Sequence, residues 1–371
     1  MSYSVTHLTS AHPRYDTRIF LKECCSLSKK YNVNLVVADG LGDEEKSGVV
    51  IYDVGVEEGR LGRIFKTTKK VLQKAIELDS DLYHLHDPEL MLIGLKLKKM
   101  GKKVVFDAHE DLPKQVMAKH YLNKITKKIL SFTVAKAEIF ALKKFDAVVG
   151  ATPIIRDKFL AHNIESVDIN NFPILDELIE IEPSFDSPTI CYIGLLYETR
   201  GIREIVNSIE NLDVRLIIAG KFFDKTFEEE IRALKGWAKV DFRGFANRDE
   251  VKEILKDSVA GLVTLHPTPS YIEAYPVKMF EYMSAGIAVI SSDFPLYKKF
   301  VEESGVCVNP LESKEIEKAI ESMIIGIGGS SSERNMAKEM GLHGKEFIKT
   351  KYNWSIEEEK LFCLYGDLFN E

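Results

Sequence analysis

Short runs rich in Val, Ile and Leu alternate along the chain with longer stretches of helical period, the pattern of parallel strands joined by crossover helices. In the first half the runs at 4–8, 34–38, 49–54, 82–86, 104–108 and 147–151 predict strands, apolar on both faces and therefore covered on both. The pattern lapses over NFPILDELIEIEPSFDSP (171–188), where prolines and acidic residues break the period and favour an extended connection. It restarts with TICYIG, VRLIIAG, VDFRG, GLVTLH, AVISS and GVCVN, each followed by a helical segment or a turn. The expectation is a Rossmann-like, doubly wound α/β domain over 1–171, a linker over 172–188 and a second such domain over 189–350. WSIEEEKLFCLYGDLF, within 351–371, adds a terminal helix that can pack back on the first domain, and GIGGSSS (326–332) is expected to be a loop.

A chain of 371 residues, 45% hydrophobic and 29% charged, is long enough for two cores. No stretch approaches the roughly 20 apolar residues of a membrane span. The opening MSYSVTHLTSAHPRYD lacks the basic start and apolar run of a secretory signal, so a cytoplasmic site of action is expected. Five cysteines, odd in number and without metal-ligand spacing, are expected to be reduced thiols. A net charge of -7 argues against a general nucleic-acid binder.

Open parallel sheets bind ligands beyond the carboxyl ends of their strands, so two such domains are expected to face an interdomain cleft lined by those ends. The first strand runs into TSAHPRYDTRI, a turn without the glycines that let a dinucleotide pyrophosphate approach, which argues against a nicotinamide dehydrogenase. In that turn Arg14 and Arg18 could reach a phosphate or be solvated, Arg18 being better placed at a helix start. Two further strand ends are polar, HLHDPEL (84–90) and FDAHED (106–111). His109 follows a buried strand and projects where a ligand would lie; the alternative is a hydrogen-bonded structural histidine. Glu110 or Asp111, ahead of Pro113, could instead cap a helix, and capping is the expected role of Asp87 ahead of Pro88.

SYIEAYPVKMFEYMSAGIAVISS (270–292) is the most informative segment. Pro276 suits a first helical turn, so the amides after it form a positive pole fit for a diphosphate. Glu273 precedes this helix and Glu281 lies within it, with seven residues between them. The two carboxylates can accept hydrogen bonds from different ligand hydroxyls, or be surface acids favoured by the helix dipole. Cations to offset a diphosphate are available in Arg200, Lys221 and Lys278, each of which could also be solvated. Arg200 is the first choice, because Gly194 closes a buried strand and Arg200-Gly201 opens the following helix. Asp79-Ser80-Asp81 has the Asp-x-Asp form used by metal-dependent sugar transferases, but it precedes a strand, away from the ligand edge, and is expected to be a turn. Neither a metal nor a cofactor is expected.

Together these segments resemble glycosyltransferase family 4, of the kind that builds bacterial surface polysaccharides. EAYPVKMFEYMSAG is similar to that family's Glu-x7-Glu element, YIGLLYETRGI to its phosphate loop, RGF (243–245) to its base-side loop and FDAHED to its cleft histidine loop. HPRYDTRIFLKEC is similar to the opening of its polysaccharide-building members, and KYNW (351–354) to the lead into its last crossover helix. The resemblance implies a GT-B fold and a retaining, hexosyltransferase-type enzyme that moves a sugar from a nucleotide-diphosphate donor to a saccharide or lipid-linked saccharide. It implies Glu281 on the ribose hydroxyls, Glu273 and His109 at the transferred sugar and Arg200 on the diphosphate. Lys221, Tyr275, Val277 and Lys278 would line the donor, Gly244 and Phe245 would border the nucleobase, and Arg18 and Glu110 would lie on the acceptor or phosphate side. Leu195 stands where many relatives have a basic residue, a lack that Lys221, Lys278 or Arg18 would have to make good. Ala274, Tyr275 and Pro276 stand where relatives often have glycines.

Two alternatives are a nucleotide-sugar epimerase of the same fold and a nucleotide-sugar-binding protein without turnover. The segment 114–144 carries eight lysines and a single acid, Glu138, among apolar residues. A basic, apolar helix face of this kind suits peripheral contact with the anionic inner face of a cell membrane, or is simply solvated.

Overall fold

The computed structural model describes residues 3–118, 123–325, 327 and 335–371. The loop expected at 326–332 lies outside the described residues apart from Ile327, as do residues 119–122 of the basic segment. Contacts divide the chain into two units, Met1–Asn171 with Ser355–Glu371, and Phe172–Trp354.

In the first unit the strands are β1 (Ser4–Leu8), β2 (Asn32–Val37), β3 (Glu44–Lys46), β4 (Val49–Asp53), β5 (Leu82–Leu85), β6 (Lys103–Ala108), β7 (Ala147–Gly150) and β8 (Ser166–Asp168). They form one sheet in the order β3-β4-β2-β1-β5-β6-β7-β8, parallel throughout except where β3 pairs antiparallel with β4. Helix α1 (Thr17–Cys24) follows β1, and α2 (Lys124–Leu142) lies between β6 and β7. The second unit has β9 (Thr189–Ile193), β10 (Arg215–Ala219), β11 (Val240–Gly244), β12 (Ala260–Val263), β13 (Ala288–Ser292) and β14 (Gly305–Val308). Their order is β11-β10-β9-β12-β13-β14. Helix α3 (Val277–Ala285) joins β12 to β13, and α4 (Trp354–Phe369) ends the chain.

Alternate residues of one strand feed two cores, which is why these runs read as continuously apolar. Ile218, Leu262 and Ile290 pack on one side of the second sheet, while Ile217, Val263 and Val289 pack on the other. Each sheet reverses its strand order at its first strand, between β1 and β5 and between β9 and β12. The loops after those four strands therefore flank the crevice where open sheets take ligands.

Three findings differ from the sequence expectations. The segment 172–188 is not a free linker, since Phe172 and Leu178 are buried in the core of the second unit. β3 and β8 were not expected; both are three residues long at the sheet's edges, and Glu-Glu-Lys has no apolar run to mark it. Asp87 does not cap the helical turn at Pro88–Leu90. It accepts from Thr9 Oγ1 at 2.8 Å and Ser10 N at 2.6 Å and pairs with His12 at 3.1 Å, fixing the loop after β1. The terminal helix α4 packs on the first unit: Tyr3 stacks on Phe369 at 4.1 Å, and Glu357 accepts from Asn170 N at 2.7 Å. Among the described residues, no helix is long and apolar enough to cross a membrane.

Candidate functional site

At the carboxyl edge of the second sheet, glycines let backbone approach backbone. A Cβ on Gly220 would stand 1.8 Å from the Gly194 carbonyl oxygen, and one on Gly201 would stand 2.2 Å from that of Thr264. The loop after β9 is thus pressed onto the end of β12. This places the Arg200 guanidinium over the Tyr271 ring at 4.8 Å, with its Nε buried and without a hydrogen-bond partner. Lys278, second residue of α3, brings a second cation to this edge. Its Nζ is buried without a hydrogen-bond partner, 3.8 Å from the Tyr192 ring centre and 3.0 Å from where a Cβ on Gly194 would lie. Burial, and then the nearby charge of Arg200, hold this ammonium well below the usual lysine range. A buried charge is ordinarily paired. Here the Tyr271 and Tyr192 faces, worth about 1–2 kcal/mol each, and the charge of Glu281 near Lys278 offset it only in part. α3 itself starts after Pro276 with no side-chain cap, so its first amides are left for an outside acceptor.

One turn into α3, Glu281 accepts from Arg248 Nη1 at 2.7 Å, while Arg248 Nε lies 2.6 Å from Glu177. Burial would lower the Arg248 pKa, but Glu177 and Glu281 outweigh it and raise it. Arg248 opens its helix after Asn247, whose side chain forms a reciprocal capping box with Glu250.

In the first unit the polar strand ends close on one another. Asp16 caps α1 by accepting from Arg18 N and Ile19 N, both at 2.9 Å. The buried Arg18 side chain then meets both oxygens of Asp107 at 2.8 Å and donates to Ile169 O at 2.7 Å. His109 Nε2 lies 2.8 Å from Asp107 Oδ2, and His86 Nδ1 lies 3.3 Å from it. Burial alone would raise the Asp107 pKa; Arg18, then His109, hold it well below the usual carboxylate range.

The family profile described as Glycosyltransferase Family 4 matches residues 24–170, and that described as Glycosyl transferases group 1 matches residues 176–341. The chain is a glycosyltransferase of the family 4 type. No curated protein matches the transferase. Among solved structures it is similar to sucrose-phosphate synthase of Thermosynechococcus elongatus, with a TM-score of 0.78 at 16% identity over 99% of each chain. It is also similar to HepE of Anabaena in complex with UDP and glucose, with a TM-score of 0.73 at 13% identity over 98% of this chain and 100% of that one. For the α,α-trehalose 6-phosphate synthase of Burkholderia multivorans the TM-score is 0.68 at 11% identity, over 100% of this chain and 99% of the other. At such identities the likeness concerns the fold, which is GT-B.

In the transferase Arg200, Lys278 and Glu281 share one edge of the second unit. Glu273 follows the turn Pro269–Ile272 at the end of the loop from β12. Lys221 is exposed, with its Nζ 5.5 Å from the Phe223 ring centre. Gly244 closes β11 at φ +66° with open space about it, and Phe245 after it is 84% exposed. Val277 is half-buried, and the Tyr275 ring packs edge-on against Phe300 at 4.6 Å, inside the aromatic core. Arg18 corrects an expectation: it is 4% exposed and engaged by Asp107 and Ile169, so it cannot serve as a phosphate or acceptor group. Arg14 is likewise held by Asp39 at 2.7 Å. Glu110 is exposed and contacts Gln115, while Asp111 caps the next helix by accepting from Lys114 N at 3.3 Å. Arg248 was missed, although the NRDE capping sequence marks a helix start at this edge.

Proposed function

We propose that the transferase moves a hexose from a nucleoside-diphosphate donor with retention of configuration, holding the diphosphate on Arg200, Lys278 and the first amides of α3. The observation that carries this is the pair of buried nitrogens, Lys278 Nζ and the Nε of the half-buried Arg200, that have no hydrogen-bond partner among the described residues at the switch point of the second sheet. A diphosphate supplies the charge they lack, and Lys278 reaching over Gly194 takes the place of the basic residue absent at Leu195. The structural similarity to a protein solved with UDP and glucose supports the choice of ligand. Glu281, steadied by Arg248, takes the ribose hydroxyls; Gly244 and Phe245 border the base; Glu273 and His109 orient the transferred sugar.

As the bond from the anomeric carbon to the phosphate oxygen breaks, its electron pair stays on that oxygen, where preorganised cations stabilise it. The acceptor hydroxyl adds to the same face of the oxocarbenium-like sugar and gives its proton to the departing phosphate. The charge is met by side chains and amides, and the proposal asks no metal or cofactor of the donor site.

A lipid-linked acceptor at the inner face of a membrane fits α2. Ile125, Ile129, Phe132 and Phe140 are exposed on it beside Lys124, Lys128, Lys136, Lys143 and Lys144. Its one acid, Glu138, is buried and neutralised by Lys158 at 2.7 Å. The outward face is therefore apolar and cationic together.

A thermal-shift screen of UDP and GDP against uridine and guanosine tests donor binding, because a ligand of the folded state raises the melting midpoint. A diphosphate-specific rise is expected; none with either diphosphate would sink the proposal. Product analysis by NMR then decides the chemistry: a retained anomeric configuration in a glycoside is expected. An inverted product, an epimerised sugar without acceptor, or no turnover would each contradict it.

A further inference from the structure

Behind Asp107 lies a polar cluster that the proposed transfer does not use. His7 of β1, His84 of β5, His86 just beyond it and Glu23 of α1 are all buried, none more than 2% exposed. Glu23 Oε2 lies 3.9 Å from each of three ring nitrogens, His7 Nδ1, His84 Nδ1 and His86 Nε2. All four atoms fall within 4.8 Å of one another. His7 Nδ1 and His86 Nε2 are 2.9 Å apart, and His84 Nδ1 also meets Tyr365 Oη at 2.9 Å. Among the described residues neither oxygen of Glu23 accepts a hydrogen bond from a nitrogen, and its carboxyl stands against that of Asp107. Arg18 Nε approaches Oε1 at 3.2 Å, but that guanidinium already meets both oxygens of Asp107 at 2.8 Å. Burial first, and then the neighbouring charge of Asp107, push the Glu23 carboxyl well above the usual carboxylate range, more than Arg18 lowers it. A buried carboxylate in that position must take up either a proton or a cation.

We infer that His7, Glu23, His84 and His86 bind a divalent first-row transition ion of the zinc class. Three imidazole nitrogens and one carboxylate oxygen form a donor set that zinc accepts tetrahedrally. With bonds of about 2.0–2.2 Å, tetrahedral donors stand about 3.4 Å apart; the 3.9 Å spacings from Glu23 need to close by about half an ångström, the 2.9 Å between His7 Nδ1 and His86 Nε2 needs to open by about as much, and the widest spacing, within 4.8 Å, needs to close further. The other ring nitrogen of His86, Nδ1, faces the Asp107 carboxylate at 3.3 Å, the outer contact that fixes tautomer and ring orientation in carboxylate-histidine-metal sites. All four donors are protein side chains and all are buried, which describes a closed structural ion that clamps β1, α1 and β5 together. Spacing along the chain hid the site, because its donors come from residues 7, 23, 84 and 86.

The test uses the untagged full chain, purified without chelator from zinc-supplemented medium, with metal measured by plasma mass spectrometry. About one zinc per chain is expected. Glu23→Gln and His84→Gln should each lose most of it while keeping the far-ultraviolet circular dichroism of the wild type. Should either variant fail to fold, wild-type protein unfolded in chelator and refolded with or without zinc decides instead. Zinc should raise its melting midpoint, and cobalt in its place should give the visible absorption of a tetrahedral Co(II) site. A wild-type chain with well under about a tenth of an equivalent of metal, and no gain in midpoint on refolding with zinc, would overturn the inference. So would variants that keep the full complement of zinc.

Discussion

At the carboxyl edge of the first sheet the buried guanidinium of Arg18 meets both oxygens of Asp107. At the same edge of the second sheet the Arg200 Nε and the Lys278 ammonium meet no hydrogen-bond acceptor among the described residues. Both are basic groups at strand ends of the same topology, and by residue type alone they are equivalent. What separates them is the partner. A cation whose charge is already matched belongs to the architecture, and one with a buried nitrogen that no acceptor meets has a ligand's charge to meet.

The comparison predicts opposite responses to the same kind of change. Arg18→Met strands the Asp107 carboxylate in the core and should cost about 3–5 kcal/mol in chemical denaturation, whereas Arg200→Met strands nothing and should leave stability within about 0.5 kcal/mol of the wild type. Equal losses in the two variants would erase the distinction. Next in size, Arg200→Ala should lower kcat by about 10²–10³, the effect of removing one preorganised donor from a developing oxyanion. Steady-state kinetics with unchanged turnover would remove Arg200 from the diphosphate.

The contrast between the units also shows how much the residues disclose on their own. Strands such as Ala147–Gly150 and Ala288–Ser292 were legible because both faces are buried, so every position is apolar or small. Glu44–Lys46 was not, because an edge strand carries no such demand. At the site, Arg200 and Lys278 could be picked out by their places after a strand-ending glycine and at a helix start. The error with Arg18 has a physical source: Asp107 stands 89 positions away, and no local pattern reveals that it absorbs the charge. The same holds for Glu281, whose partner Arg248 lies 33 positions upstream and leaves no periodic trace.

Smaller effects sharpen the second edge. Glu281→Ala should weaken binding of the preferred nucleoside diphosphate by about 1–3 kcal/mol, and Arg248→Ala by less, since it acts through Glu281. Calorimetry showing unchanged affinity for Glu281→Ala would cancel the ribose assignment. The pH dependence of the ligand-free protein should reveal Lys278. Its folded pKa lies below the unfolded one, so the folded state binds fewer protons between the two values and stability rises with pH across that window, by at most about 1.4 kcal/mol per pH unit. Lys278→Met should lack that rise; the same slope in both proteins would place the buried charge elsewhere. Smallest is the change at α2: Phe132→Ser with Phe140→Ser should reduce flotation with anionic vesicles at low salt without altering donor affinity. Flotation equal on neutral and anionic vesicles would contradict the membrane role.

The central claim is that a diphosphate completes the charge of Arg200 and Lys278. Isothermal titration of UDP and GDP into the wild type and into the Arg200→Ala, Lys278→Met double variant tests it most directly. Tight binding of one diphosphate to the wild type, weak binding of its nucleoside and loss of the difference in the double variant are predicted. A double variant that binds the diphosphate as tightly as the wild type would contradict the account.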